Sequence, residues 1–351
     1  MTRAPPSARP KVRIEEVARA AKVSAATVSR ALNNPGLVSF ALRTKVDTAA
    51  QALGYVAHGA ARALASRRSR ALGALVPTFA NTIFSDAISA FQRRLEAANY
   101  TMLLAAFDYD PEVEYRSART MIERGVDGLM LVGVTHDPRL FALLDASGVP
   151  FVQTWAPAKA SPHPTIGYDN AALTRMVVDH LVSLGHRDIG MVAGVTEHND
   201  RVRARIAGMR ATLQLHSLPF EERRMVFTEY RLGAVRDAFR EMQGRGPLPT
   251  ALVANNDIVA IGLLLEAQAQ GIAVPRDLSV VGVGDLEIAA HLQPGLTTVR
   301  TPKHSIGTLA AEYLLARIDD RAVSLPAELA LELIIRGTTA PPPDRRKDPS
   351  P

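Results

Sequence analysis

Between residues 71 and 340 short apolar runs alternate with helical stretches, and that alternation restricts the fold more than any other feature of the chain. The runs fall at 71–76, 101–106, 128–132, 149–153, 165–167, 189–193, 224–227, 251–254 and 278–283. Helically spaced segments lie between them, among others at 83–98, 112–123, 170–184, 201–215, 233–243 and 258–270. Strands that alternate with helices of this length form parallel sheets covered by those helices. The unit repeats too often for one sheet, so two similar lobes are expected. In open parallel sheets ligands bind beyond the C-terminal ends of the strands. Two such lobes would turn those ends toward a shared cleft.

The first 70 residues differ in kind. They hold 13 Lys/Arg against three acids, Glu15, Glu16 and Asp47, a net charge of +10. The other 281 residues hold 28 Lys/Arg against 32 acids, a net of −4, so the basic excess of the chain lies wholly in its head. Such an asymmetry is the electrostatic footprint of phosphate-backbone binding. Residues 1–11, rich in Pro and Arg, read as a disordered basic arm; beyond them the sequence is patterned.

Ile14, Val17, Ala18 and Ala21 share one helical face, which places a first helix over 12–21. Lys22-Val23-Ser24 interrupts it, and Ser24 suits the N-cap of a second helix over 25–33. Asn33-Asn34-Pro35-Gly36 stops that helix. Ser39 can cap a third helix near 40–53, with Gly54 at its C′ position. Two short helices joined by a three-residue turn and buttressed by a third form the helix-turn-helix plan. On the second helix Val28 and Leu32 point to the other helices, while Ala25, Ala26, Ser29, Arg30 and Asn33 face away. Small residues permit close approach to a major groove, and Arg30 can donate twice to guanine O6 and N7. Ser24, Thr27 and Asn33 suit phosphate or sugar contacts, which set position without reading sequence. A plain three-helix bundle with a solvated polar face is the alternative.

Enzymatic readings find little support. Gly282-Val283-Gly284 lacks the third glycine and following helix of a dinucleotide loop, and no phosphate-loop, zinc-helix or nucleophile-elbow motif occurs. The chain has no cysteine, hence no thiolate metal site or thiol nucleophile. His180, His186 and His198 lack metal-ligand spacing. No cofactor is expected. No apolar run is long enough for a membrane span, and the basic N-terminus does not read as a secretion signal, so a cytoplasmic, nucleoid-associated location is expected.

The head also closely resembles that of the LacI/GalR family of bacterial repressors. The resemblance is carried by Val12-Arg13-Ile14-Glu15-Glu16-Val17-Ala18, by Val23-Ser24-Ala25-Ala26-Thr27-Val28-Ser29-Arg30-Ala31-Leu32-Asn33, by Val38-Ser39 and by Leu53-Gly54-Tyr55. It implies a DNA-binding domain over 12–56 and a hinge helix and linker over 57–70. Ala60-Ala61-Arg62-Ala63-Leu64 matches the family's hinge, which makes Leu64 the residue that wedges into the minor groove, with Arg62 beside it. The family's usual Pro-Asn before this helix is replaced by Ala57-His58, followed by Gly59, which should weaken the isolated hinge helix. Packing of Leu64 against the third helix is the competing role.

The body is similar to the family's periplasmic-binding-protein-like (type I) core. Leu184-Gly185-His186-Arg187-Asp188-Ile189-Gly190, Ala254-Asn255-Asn256-Asp257 and Val280-Val281-Gly282-Val283-Gly284-Asp285 with Pro294-Gly295-Leu296-Thr297-Thr298-Val299 carry this part. The resemblance implies an N-terminal all-α helix-turn-helix domain joined to an α/β two-lobed effector-binding and dimerisation domain over 71–340, with crossovers near 168, 296 and 325. Carried over by position, the effector would meet Asn81, Phe84, Trp155, Asp169, Arg203, Arg205, Asn256 and Asp285. Trp155 alternatively packs in the core, Asp169 alternatively only caps a helix, and Arg205 alternatively bridges a surface carboxylate. Many family members carry an acid where this chain has Gly284, and Gly284-Asp285 is similar to the gluconate-repressor branch. Loss of that acid while the arginines remain shifts the expected effector from a neutral sugar toward a sugar acid. Residues 341–351 read as a disordered tail without heptads, so a homodimer on a palindromic double-stranded operator is expected. A co-repressor-dependent regulator, or a sugar-binding protein without regulation, are the alternatives.

Overall fold

The computed structural model describes residues 12–33, 35–55, 68–79 and 82–343. The basic arm 1–11, most of the expected hinge including Arg62 and Leu64, the end of the tail and Asn81 lie outside them. The chain divides into two units, 1–70 and 71–351.

In the first unit α1 (Ile14–Ala21), α2 (Ala25–Asn33) and α3 (Phe40–Leu53) enclose a small core of Val17, Ala18, Ala21, Val28, Ala31, Val46 and Ala50. The first helix starts two residues later than its periodicity suggests, because Arg13 is its N-cap and donates its backbone N–H to Glu16 Oε2 at 2.8 Å. The acidic first turn of α1 also complements the helix dipole. Lys22 turns the chain out of α1 in the left-handed region, at φ 54°. Ser24 Oγ then accepts the Thr27 N–H at 3.1 Å and starts α2. Ser39 caps α3 through the Leu42 N–H, and Gly54 ends it at φ 64°.

The second unit contains two sheets. The first has the order β2-β1-β3-β4-β5, all parallel, from β1 (Ala71–Val76), β2 (Thr101–Ala106), β3 (Leu129–Val132), β4 (Phe151–Thr154) and β5 (Thr165–Ile166). The second has the order β11-β10-β9-β8-β6-β7, from β6 (Ile189–Gly194), β7 (Met225–Thr228), β8 (Ala251–Ala254), β9 (Ser279–Gly284), β10 (Thr297–Arg300) and β11 (Glu332–Ile334). Only β11 runs antiparallel to its neighbour. Buried runs such as Leu72–Val76 of β1 and the wholly buried β6 and β9 belong to strands covered on both faces.

The connecting helices are α4 (Ser85–Glu96), α5 (Pro111–Glu123), α6 (Pro138–Ser147), α7 (Asn170–Ser183), α8 (Asp200–Leu215), α9 (Leu232–Gly244), α10 (Asp257–Ala269), α11 (Glu287–His291) and α12 (Lys303–Ile318). The chain leaves the first sheet after β5, returns to the first lobe as α12 after β10, and goes back to the second sheet as β11. Two of the connecting segments are tied together: Leu329 N–H donates to Gly167 O at 2.7 Å, and Asp169 N–H to Glu328 Oε1 at 3.1 Å. Within each lobe a glycine lets two helices touch backbone to backbone. A Cβ at Gly307 of α12 would overlap the Ala87 carbonyl of α4, and one at Gly208 of α8 the Ala171 carbonyl of α7.

Candidate functional site

In the first unit α2 buries Val28 and Ala31 and exposes Ala26 and Arg30, one turn apart on the same face. Ala25, Thr27 and Ser29 are half-buried at its flanks. Ser24 is engaged as the cap, with its hydroxyl also 2.8 Å from Thr27 Oγ1. The helix therefore presents a small residue beside a long, forked donor, with a hydroxyl-lined edge.

In the second unit the loops after β1, β2, β4, β6, β7 and β8 meet at the C-terminal ends of both sheets. Between them Phe84, Tyr109, Trp155, Asn199, Arg201, Arg205, Tyr230, Asn255 and Asn256 line a narrow cleft. The lobes close tightly on it. The space left between the side chains is about 20 Å³, room for roughly one water molecule.

Four of the effector residues expected from the sequence reach this cleft: Phe84, Trp155, Arg205 and Asn256. Trp155 stands edge-on to Phe84, with ring centroids 5.1 Å apart, and belongs to the core cluster, so its packing role and its cleft position coexist. Its backbone is left-handed, at φ 62°, a strained conformation for a bulky residue. Arg205 is buried, with Nε donating to Asn170 Oδ1 at 3.0 Å, Nη1 to the Asn255 carbonyl and Nη2 to Tyr168 Oη at 3.4 Å. All three partners are neutral, and among the described residues no carboxylate pairs with this guanidinium.

Three expected residues are elsewhere. Arg203 is exposed on the rim, where Nη1 donates to Thr196 O at 2.8 Å and Nη2 to Thr135 Oγ1 at 3.0 Å across the lobes. It sits two positions from Arg205, which puts it on another side of the helix. Asp169 caps α7 through the Ala171 and Ala172 N–H groups and pairs with Lys159 at 3.1 Å. Burial raises its pKa, but these hydrogen bonds outweigh it and hold the carboxyl below its ordinary value. Asp285 faces Arg300 and Arg336, each at 2.7 Å, and with burial outweighed its carboxyl is likewise held low. Asn81 lies outside the described residues.

The sequence reading missed Arg201, Tyr109 and Tyr230. Arg201 precedes Arg205 by one helical turn on the same inward face, a spacing that could have revealed it. Its Nη1 donates to Asp200 Oδ1 at 2.9 Å and to Val132 O of the other lobe at 3.4 Å. Tyr109 and Tyr230 follow β2 and β7 closely, and burial pushes both phenols above their ordinary pKa. Both therefore remain protonated donors at neutral pH. Asn255 Nδ2 donates to Tyr230 Oη at 2.8 Å.

Some buried polar atoms at the cleft have no partner among the described residues: the indole Nε1 of Trp155, Nδ2 of Asn256 and Oδ1 of Asn255. Buried polar groups are ordinarily hydrogen-bonded, so two spare donors and one spare acceptor lining one cleft fit a polar ligand. At the position where an acid is absent, Gly284 adopts φ 134°, and a Cβ there would lie 3.5 Å from Asp257 Oδ2. The Asp257 carboxylate is already committed to Thr298 Oγ1 at 2.6 Å and the Leu286 N–H at 2.7 Å, and its burial raises its pKa.

Comparison with known proteins agrees with this architecture. Residues 13–58 match the model of bacterial regulatory proteins of the lacI family, and residues 178–339 that of a periplasmic binding protein-like domain. The HTH-type transcriptional regulator GntR of Escherichia coli K12 is 30% identical over 313 residues, covering 89% of this chain and 93% of its own. A lacI-family regulator from Silicibacter pomeroyi superposes with a TM-score of 0.84 at 28% identity, covering 94% of this chain and 99% of its own. The lac repressor dimer bound to operator and the anti-inducer ONPF does so with a TM-score of 0.82 at 26% identity, covering the same shares. With a helix-turn-helix head and a two-sheet α/β body, the chain belongs to the lacI family of bacterial regulatory proteins, and is a DNA-binding transcriptional regulator.

Proposed function

We propose that this regulator is a cytoplasmic homodimeric repressor that reads a palindromic operator with α2 and releases it when an acidic polyol, of the sugar-acid class, occupies the cleft. The observation that carries the ligand class is Arg205. A buried guanidinium whose partners are all neutral is costly unless an anion compensates it, and its planar fork suits a carboxylate. Arg201 is already neutralised by Asp200, which leaves the cleft walls one positive charge in excess. The spare donors of Trp155 and Asn256 and the phenols of Tyr109 and Tyr230 would serve the hydroxyls. Because side chains of both lobes line the cleft, a ligand that parts them from the roughly 20 Å³ seen here and is then enclosed binds an arrangement of the lobes different from the empty one, and it can shift the equilibrium by that difference in affinity alone.

On the DNA side, Arg30 would read guanine while Ala26 admits the helix to the groove. Arg62 and Leu64, outside the described residues, would act in the hinge, Leu64 as the minor-groove wedge. Pairing of two chains is supported by an apolar face on the second lobe, where Leu264, Leu265, Ile272, Val274 and Leu292 line one groove. A two-fold pair presents two recognition helices to two half-sites.

Titration calorimetry with gluconate and with glucose as the matched neutral sugar tests the ligand class. Gluconate should bind, and Arg205→Lys should weaken it more than it weakens any neutral sugar. Tighter binding of glucose would refute the acidic-ligand reading. Fluorescence anisotropy of an operator duplex with and without gluconate tests the direction of the switch, and tightening on addition would make the chain a co-repressor-dependent regulator.

A further inference from the structure

A second cavity, of about 700 Å³, lies away from the cleft at the junction of the lobes. Its walls come from α4 of the first lobe, from the β10–α12 connection and from β11 of the second sheet. Its volume falls in the range of small-molecule sites, whereas a bare ion would leave most of it unfilled.

Three features point to an anion. The first turn of α12, a 16-residue helix, lines the cavity, and its N-cap Pro302 offers no side-chain acceptor to the first-turn N–H groups. An uncapped helix N-terminus attracts negative charge. Thr301, which also lines the cavity, is 3% exposed, and its hydroxyl has no hydrogen-bond partner. The charges of the walls are mostly spoken for: Lys303 pairs with Asp86 at 2.9 Å, and Arg300 with Asp285 and Glu332. Arg93 has no ion pair among the described residues, and His304 stands exposed on the first turn of α12.

We propose that this cavity is a second ligand site, separate from the cleft, and that it takes a small molecule through a phosphate group. A phosphate offers several acceptor oxygens, enough for the helix turn, the Thr301 hydroxyl and the Arg93 guanidinium together. The remaining volume houses the rest of the molecule.

The test is calorimetry of the full chain with phenyl phosphate and with inorganic phosphate. One phenyl phosphate should bind per chain. Arg93→Ala, a change at an exposed residue, should weaken it about tenfold, the loss expected for one charge-assisted hydrogen bond. Thr301→Val keeps the shape of the side chain, removes only the hydroxyl, and should weaken it by roughly threefold to tenfold. Thermal unfolding of both variants checks that they fold as the parent does. No binding at millimolar phenyl phosphate, binding unchanged in both folded variants, or binding of inorganic phosphate alone would each overturn the proposal.

Discussion

Arg203→Ala separates a latch from a ligand contact. In the closed cleft Arg203 makes two hydrogen bonds, but only the one to Thr135 Oγ1, at 3.0 Å, spans the lobes. The other, to Thr196 O, stays within the second lobe and survives opening. The substitution therefore removes one exposed interlobe hydrogen bond, worth about 0.5–1.5 kcal/mol. If the lobes re-form this bond when they close around a ligand, its apparent Kd should rise by between about twofold and about tenfold; a fall would mean that the bond belongs only to the empty, tightly closed cleft. Thr135→Val removes the same bond from the other side and should cause a similar rise. Together the two changes should do no more than either alone, since a pair sharing one interaction is not additive. Calorimetry with gluconate, or with whichever ligand the cleft accepts, supplies all four corners of the cycle. The latch argument fails if Arg203→Ala weakens binding a hundredfold or more while Thr135→Val leaves it unchanged. That outcome would restore Arg203 as a ligand contact.

Arg30→Ala should cost on the order of 1–3 kcal/mol per half-site on operator DNA and much less on random duplex, measured by fluorescence anisotropy at fixed salt. Equal loss on both would assign Arg30 to phosphate binding. The Glu266 carboxyl is held down to about 2 by hydrogen bonds from Gln270, Arg236 and Arg240. Its stabilising contribution is complete above its unfolded pKa, near 4.5, and fades as the pH falls toward 2; Glu266→Gln should therefore flatten the acid limb of a plot of melting temperature against pH. Gly307→Ala should destabilise the body by about 1–3 kcal/mol in denaturant unfolding, because the added methyl meets the Ala87 backbone rather than a movable side chain.

The sequence disclosed the head almost completely, since α1 to α3 are short, locally capped and strongly two-faced. It was less informative where tertiary context decides. The strand β10 was read as part of a motif rather than as a strand, because its Thr297 and Thr298 are buried polar residues whose partners, among them Thr338 and Asp257, are distant in sequence. The edge strand β11 is only three residues long, and its residues are exposed or half-buried, so its short apolar run Leu333-Ile334-Ile335 does not stand out. Helix α12 is buried around most of its circumference, through Ile306, Gly307, Ala310, Ala311, Tyr313, Leu314 and Leu315, so no polar stripe marks it. In the cleft, strand ends were readable and side-chain direction was not. Arg201 and Arg205 line the cleft while Arg203 lies on the rim, a difference of helical phase that the Asn199 cap fixes only once the loop is folded. His186 shows the opposite case. It sits in a motif that resembles the family, yet it is a structural tie between Thr250 Oγ1, Ser279 Oγ and the Ala340 carbonyl.

The return of the chain to the first lobe as α12 has a consequence for synthesis. All five strands of the first sheet have been translated by Ile166, but the helix that carries Ile306, Ala310 and Leu314 into their core ends only at Ile318, about 150 residues later. At roughly 5–20 residues per second, one side of that sheet and the inner face of α4 wait on the order of 10–30 s for their cover. Throughout that interval the core that holds Phe91, Leu95 and Val152 lacks the side chains that α12 contributes to it. The second lobe, whose β6 to β10 and α7 to α10 are contiguous, waits only for its edge strand β11. The lobe translated first is thus completed only near the end of synthesis, when α12 has emerged, with the β11 strand of the second sheet following it.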